Sequence, residues 1–133
     1  MHLNDFLGQV QHQARMSSLD EAMRATRATL LTLGERLGGG EIGNIGAQLS
    51  PELARLLGNE HPRGERFSSD EFLQRVSERE AVDLPKSVFH TRAVLAVLSQ
   101  AVSPGVITHL RAQLPQDFHR LFDAGSEGGM PSH

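Results

Sequence analysis

TRATLLTLGERLGGGEIGNIGAQLSPELARLL, residues 26–57, lies over TRAVLAVLSQAVSPGVITHLRAQLPQDFHRLF, residues 91–122, without a gap when the chain is slid along itself by 65 positions. Twelve of the 32 aligned positions are identical, where about two would coincide by chance at average composition. The chain is internally duplicated. Residues kept in both copies are read as constraints of the fold, and residues held by one copy are free for drift or for function.

Inside the duplicated stretch the apolar residues recur at helical spacing. Met23, Thr26, Leu30, Leu33 and Leu37 form the stripe of a helix buried on one side, and Val88, Thr91, Leu95, Leu98 and Val102 repeat it in register. On the flanks, Thr29, Thr32 and Arg36 of the first copy become Val94, Val97 and Ala101 in the second. The second long helix is therefore expected to be the more buried and central one. Asp20 and Asp83 are the expected caps, and Pro85 falls in a first turn, where its missing N–H costs nothing.

Gly38-Gly39-Gly40 and Ser103-Pro104-Gly105 end the two long helices. Neither is a phosphate-binding loop, because no strand precedes it and the lysine of that motif is missing. A short third helix follows, carrying Ile42, Ile45 and Leu49 in one copy and Ile107, Leu110 and Leu114 in the other. The fourth starts at Ser50-Pro51-Glu52 and at Pro115, with Leu53, Leu56 and Leu57 matched by Phe118, Leu121 and Phe122. Upstream, Asn4 is placed to cap a helix bearing Phe6, Leu7 and Val10. Ser68 to Glu71 has capping-box spacing before Phe72, Leu73 and Val76. These two first helices align at an offset of 66, so the one-residue difference falls in the loop that follows them.

The reading is an all-α fold, a single domain of two tandem four-helix repeats packed as a pseudo-symmetric bundle. Residues 1–122 form the domain, with repeat one at about 4–57, a linker at 58–66 (GNEHPRGER) and repeat two at about 67–122; residues 123–133 are expected to be a disordered tail. At 133 residues the chain is the size of one ordinary domain. Its 38% apolar content, with six Phe and no Trp or Tyr, means that aliphatic side chains dominate the core.

Cysteine is absent, which excludes disulfides and thiolate chemistry and suits a reducing compartment. The N-terminus lacks the basic start and apolar run of a secretion signal, and no stretch has the length of a membrane span. A cytoplasmic location without membrane attachment is expected. Through Arg66 the chain carries seven basic and eight acidic residues, and after it six and eight, for a net charge of -3. Neither half offers the concentrated positive face that nucleic acid requires. Lys86 is the sole lysine beside twelve arginines.

Histidines 90, 109 and 119 stand where the first copy has Ala25, Asn44 and Ala54, so they are not needed to build the repeat. None pairs with another at the close spacing of a metal site, and His2, His12, His61 and His133 read as surface or tail residues. Arg27 with Arg92, and Gln48 with Gln113, are kept by both copies. Their first reading is structural, with the glutamines serving orphan groups at helix ends. The functional reading has the two guanidinium groups facing one anionic or peptide ligand. Glu52 with Arg55, and Asp117 with Arg120, are expected to form exposed i, i+3 pairs. No nucleophile elbow or other catalytic constellation occurs.

The pattern TRATLLTLGERL, GGGE and AQLSPELARLL, followed by FSSDEFLQRV and then TRAVLAVLSQAVS with LRAQLPQDFHRLF, resembles the DUF2267 family of small bacterial proteins. The likeness runs from about Phe6 to Phe122, and the segments Ala47–Ser50 and Ala112–Pro115 are its most specific marks. The resemblance implies an all-helical, duplicated, bacterial fold and brings no reaction, cofactor or catalytic residue. Ser50 departs from it, since the family usually has proline directly after AQL, as at Pro115.

The function expected from all this is non-enzymatic: an interaction or adaptor module that takes a protein or peptide partner in a groove between repeats or on a flank of the first long helix. No cofactor or metal is expected. The alternative is a small-ligand or metal-binding protein using Arg and His residues of repeat two. The candidate ligand or partner residues are Arg27, Arg92, Gln48, Gln113, His90 and His109.

Overall fold

Serine and proline start most of the helices, and the apolar stripes set how far they run. The computed structural model describes residues 1–58 and 63–126, with side chains as far as Asp123. Eight helices follow one another: α1 (Leu3–Gln13), α2 (Leu19–Leu37), α3 (Gly39–Gly46), α4 (Pro51–Leu57), α5 (Ser69–Glu80), α6 (Leu84–Ala101), α7 (Pro104–Gln113) and α8 (Gln116–Ser126). No strand occurs among the described residues, so the fold is all-α. The starts of α5 to α8 follow those of α1 to α4 at offsets of 66, 65, 65 and 65. Arg15 and Ala81, one such offset apart, both take a left-handed backbone conformation just past α1 and α5 (φ 54° and 63°).

Helices α2 and α6 pack against each other at the centre. Within each half, α1 lies on α2 and α5 on α6, while α4 lies on α2 and α8 on α6. Across the halves, α5 also covers α2, α1 also covers α6, and α3 meets α7. The starts of α2 and α6 are close enough for the Lys86 charge to act on Glu21. Their ends lead into the touching pair α3 and α7, so the two long helices run side by side in one direction. A continuous apolar cluster draws on all eight helices, with Phe6, Phe72, Phe118 and Phe122 its largest buried members. Phe72 meets Phe118 edge to face at 5.6 Å, the geometry preferred by the ring quadrupoles.

Several sequence expectations need correction. The second long helix is not the more buried of the two: Thr29 and Thr32 are 0% exposed and Arg36 is 7% exposed. Eleven of the 19 residues of α2 are buried, against nine of the 18 in α6. The reason is that α5 and its approach segment cover the polar flank of α2 and supply partners to Thr32 and Arg36. The Thr32 hydroxyl donates to the Ala28 carbonyl (2.7 Å) and receives an N–H from Arg79 (2.8 Å). Arg36 donates to the Phe67 carbonyl (2.9 Å) and lies 5.3 Å from the Phe118 ring centre. Burial, with Arg66 nearby, pulls its guanidinium below the ordinary arginine value.

The caps also differ. Ser18 rather than Asp20 caps α2, accepting from the Glu21 N–H at 3.2 Å. His2 rather than Asn4 occupies the N-cap position of α1, and Asp83 holds that of α6 without a side-chain bond. Ser68 caps α5 as its spacing predicted. Asp117 does not pair with Arg120 but accepts the Ser69 N–H at 2.9 Å, which draws its carboxyl below the usual range. Glu52 and Arg55 are exposed and form no ion pair with each other. Helix α8 continues past Phe122 to Ser126, and the rest of the expected tail, like linker residues 59–62, lies outside the described residues. The later linker packs tightly on the end of α2. Gly64 (φ 71°) comes so near Arg36 that an added Cβ would sit 2.6 Å from its carbonyl oxygen, and Glu65 donates its N–H to Glu35.

Candidate functional site

Ser103 follows the last turn of α6, and its hydroxyl accepts the Val106 N–H (3.4 Å) to start α7. Gln48, at the end of α3 in the other half, completes that start. Its Oε1 accepts the Ser103 N–H at 2.6 Å, and its Nε2 donates to the Ser103 hydroxyl at 3.2 Å. These two hydrogen bonds between side chain and helix end hold α7 beside α3. Between them lies a groove of about 340 Å³ lined by Glu41, Asn44, Ile45, Ala47, Gln48, Gly105, Val106, His109 and Leu110.

Three pairs of these residues are separated by 65 positions and so match between the halves: Ile45 with Leu110, Glu41 with Val106, and Asn44 with His109. Ile45 and Leu110 are buried and form an apolar floor. The rim differs from side to side, with an acid and an amide on α3 facing an aliphatic residue and an imidazole on α7. No ion pair involves Glu41 among the described residues. A Cβ added to Gly105 would meet nothing within 4 Å, so open space extends to the α7 backbone. The volume is at the small end of the roughly 300–1,000 Å³ typical of ligand clefts. An apolar floor with a few polar groups at its edge suits one or two apolar side chains or a small amphipathic molecule.

Of the six residues singled out in the sequence, Gln48 and His109 meet in this groove. Gln48 serves a helix end, as its structural reading had it, but the end belongs to the other half. Gln113 is exposed at the end of α7, and Arg27 is exposed on α2. Arg92 is half-buried with its Nε lacking a partner, and neither arginine lines the groove. His90 is in the core, where its Nδ1 pairs with the Glu80 carboxylate. His119 is half-buried against the Arg111 carbonyl (2.7 Å). Glu41, Asn44 and Val106 were missed as site residues. The signal that marks them is a third-helix position outside the buried stripe that differs between copies.

A second polar assembly joins α2 to α5. Glu35 binds Arg79 (2.7 Å) and Arg75 (3.2 Å), and Arg75 also binds Glu65 and Glu71 while lying 4.0 Å from the Phe67 ring centre. The hydrogen bond from Arg79, followed by that from Arg75, holds the Glu35 carboxyl below its usual range. Each of these three carboxylates and two guanidinium groups has an oppositely charged partner, and together they tie α5 to the end of α2 and the segment between them. Among the described residues no three His, Asp or Glu side chains gather as metal ligands would. No helix there is long and apolar enough to cross a membrane.

The family model described as "Uncharacterized conserved protein (DUF2267)" matches residues 3–121, from the start of α1 nearly to the end of the described side chains. The chain belongs to the DUF2267 family. Comparison with curated proteins finds no match. The matched region takes in both halves and the groove between them.

Proposed function

We propose that this protein is a non-enzymatic interaction module, working in the cytoplasm, whose α3/α7 groove receives the apolar side chain of a protein or peptide partner. In this reading the chain is two four-helix units packed about an approximate twofold axis. The exchanged packing supports this: α5 covers α2 and α1 covers α6, as a twofold relation requires and a simple translation of one unit onto the next does not. The self-matching pairs α2 with α6 and α3 with α7 then lie on the axis.

The observation that carries the functional reading is the groove on that axis, with a matched floor of Ile45 and Leu110 and a divergent rim of Glu41, Asn44, Val106 and His109. A floor kept apolar in both halves serves packing. A rim that differs offers a partner distinct chemistry on its two sides and sets the direction in which it lies. Gly105→Leu places a side chain in open groove space without backbone conflict, so the fold should survive and partner capture by cross-linking in native cells should be lost. Capture of the same partners by the filled-groove variant would refute the proposal. A small amphipathic ligand is the second reading, favoured by the groove volume; it would raise the melting temperature of the native chain and leave that of Gly105→Leu unmoved.

A further inference from the structure

Matching helices line the groove with matching positions: 41, 44 and 45 on α3, and 106, 109 and 110 on α7. Each set is spaced i, i+3 and i+4 and so shares one helix face. Ile45 and Leu110 keep the same apolar role, while Glu41 stands against Val106 and Asn44 against His109. Glu41 lies in the first turn of α3, where negative charge suits the helix dipole. The first turn of α7 has no acid, so the repeat can be built without one at this place.

The polar groups of the rim are unengaged. Gln48 gives both ends of its amide to Ser103, but the side chains of Glu41, Asn44 and His109 form no hydrogen bond or ion pair among the described residues. Among the described residues that line the groove, Glu41 alone carries a formal charge, and no lysine or arginine joins it. A wholly apolar occupant would strip water from this carboxylate without replacing it, and an acidic occupant would be repelled. A cation restores what is lost. The rim offers it acceptors on both walls: the two oxygens of Glu41 and the carbonyl of Asn44 on α3, and a ring nitrogen of neutral His109 on α7. The group that answers to this has several donors, no acceptor and enough breadth to reach two sides at once. A guanidinium is such a planar fork, whereas an ammonium is a compact point charge. The methylene stem behind it would lie along Ile45, Leu110 and Val106, since arginine stems cover apolar surface while the head stays among polar groups.

On the groove reading given above, we infer that the partner inserts an arginine side chain, its guanidinium on Glu41 and between Asn44 and His109, its stem on the floor of Ile45 and Leu110. Glu41 is only half-buried, so the pair it forms is weakened by salt.

Titration of n-butylguanidinium into the full isotopically labelled chain, followed through the amide chemical shifts, tests this against n-butylammonium, n-butylurea and pentanoate. The guanidinium should shift the Asn44, Gly105 and His109 amides saturably, with a dissociation constant on the order of millimolar for so small a probe. The urea has nearly the same shape without the charge, and it and pentanoate should bind about tenfold or more weakly. The ammonium should also bind less tightly than the guanidinium. Glu41→Gln should weaken the guanidinium about tenfold and leave the urea unchanged, and Gly105→Leu should abolish binding of both. Circular dichroism checks that each variant is folded. Equal or tighter binding of any of the other three probes, an unchanged guanidinium affinity in Glu41→Gln, or no groove shift with any probe at about 50 mM would overturn the inference. The groove reading is judged apart from it: partner capture that Glu41→Gln keeps and Gly105→Leu loses would leave the groove standing and remove the arginine.

Discussion

Glu80 and His90 face one another in the core, 2% and 5% exposed, at the two positions that the first half fills with Ala14 and Ala25. One half therefore builds with a carboxylate and an imidazole what the other builds with two methyl groups. The second carboxylate oxygen of Glu80 is buried without a partner, so the polar version is incompletely compensated. Removing one member strands the other. His90→Ala or Glu80→Ala alone should cost about 3 kcal/mol in urea unfolding, whereas the double variant should cost clearly less than the sum of the two. Additive losses would show that the pair is not coupled.

Thr29 and Thr32 make a sharper contrast, being neighbours on α2 and both fully buried. The Thr29 hydroxyl has no hydrogen-bond partner among the described residues, and Val94 stands at its counterpart position. Thr29→Val should stabilise the protein by about 1 kcal/mol, since it removes a desolvated hydroxyl at nearly constant shape. Thr32→Val should destabilise by about 1 kcal/mol or more, because Arg79 loses an acceptor. Thermal unfolding of the two variants in parallel, read as opposite shifts in Tm, is the check.

Gly34 allows the close approach of α2 to the end of α4. A Cβ built there would lie 1.8 Å from the Leu57 carbonyl oxygen. Gly34→Ala should cost about 3 kcal/mol or displace α4, overriding the better helix propensity of alanine. Gly105→Ala, with open space around it, should be neutral or stabilising by up to about 1 kcal/mol. Denaturant midpoints at constant slope distinguish the two sites.

Acid should loosen the contacts of α5 with α2 and with α8. Glu35 is held below its usual range chiefly by the hydrogen bond from Arg79, and Asp117 by the Ser69 N–H. A carboxyl whose folded value is depressed binds its proton more readily when unfolded. Its stabilisation is complete above the unfolded value, near 4 for these side chains, and is lost as pH falls through the folded one. Stability should thus decline below about pH 4, and Glu35→Gln should flatten that decline while lowering stability at neutral pH. Unfolding free energies measured at successive pH values give both slopes.

The helices were legible because their starts carry local chemistry. Ser68, Pro51 and Pro85 act within a turn of where they stand, and the stripe of Leu30, Leu33 and Leu37 needs only its own periodicity. The relative burial of the two long helices was misread from side-chain polarity. Thr29, Thr32 and Arg36 look like a wet flank until α5 and the segment before it, more than thirty residues away, cover it and supply Arg79 and the Phe67 carbonyl. The groove was half legible. Comparison of the copies marked His109 as optional and Gln48 as retained, but the bond from Gln48 to Ser103 crosses from one half to the other, and no spacing announces it. Asp20 lost the cap to Ser18 by two residues, a competition settled by backbone geometry that identity alone leaves open.

The crossed packing of the first helices bears on ancestry. Since α1 covers α6 and α5 covers α2, a solitary half would leave a flank of its long helix in water. Such a unit would bury that flank again by pairing with a second copy of itself. Fusing two copies makes that partnership permanent and frees each side to mutate alone. An identical pair could not have placed asparagine on one lip of the groove and histidine on the other.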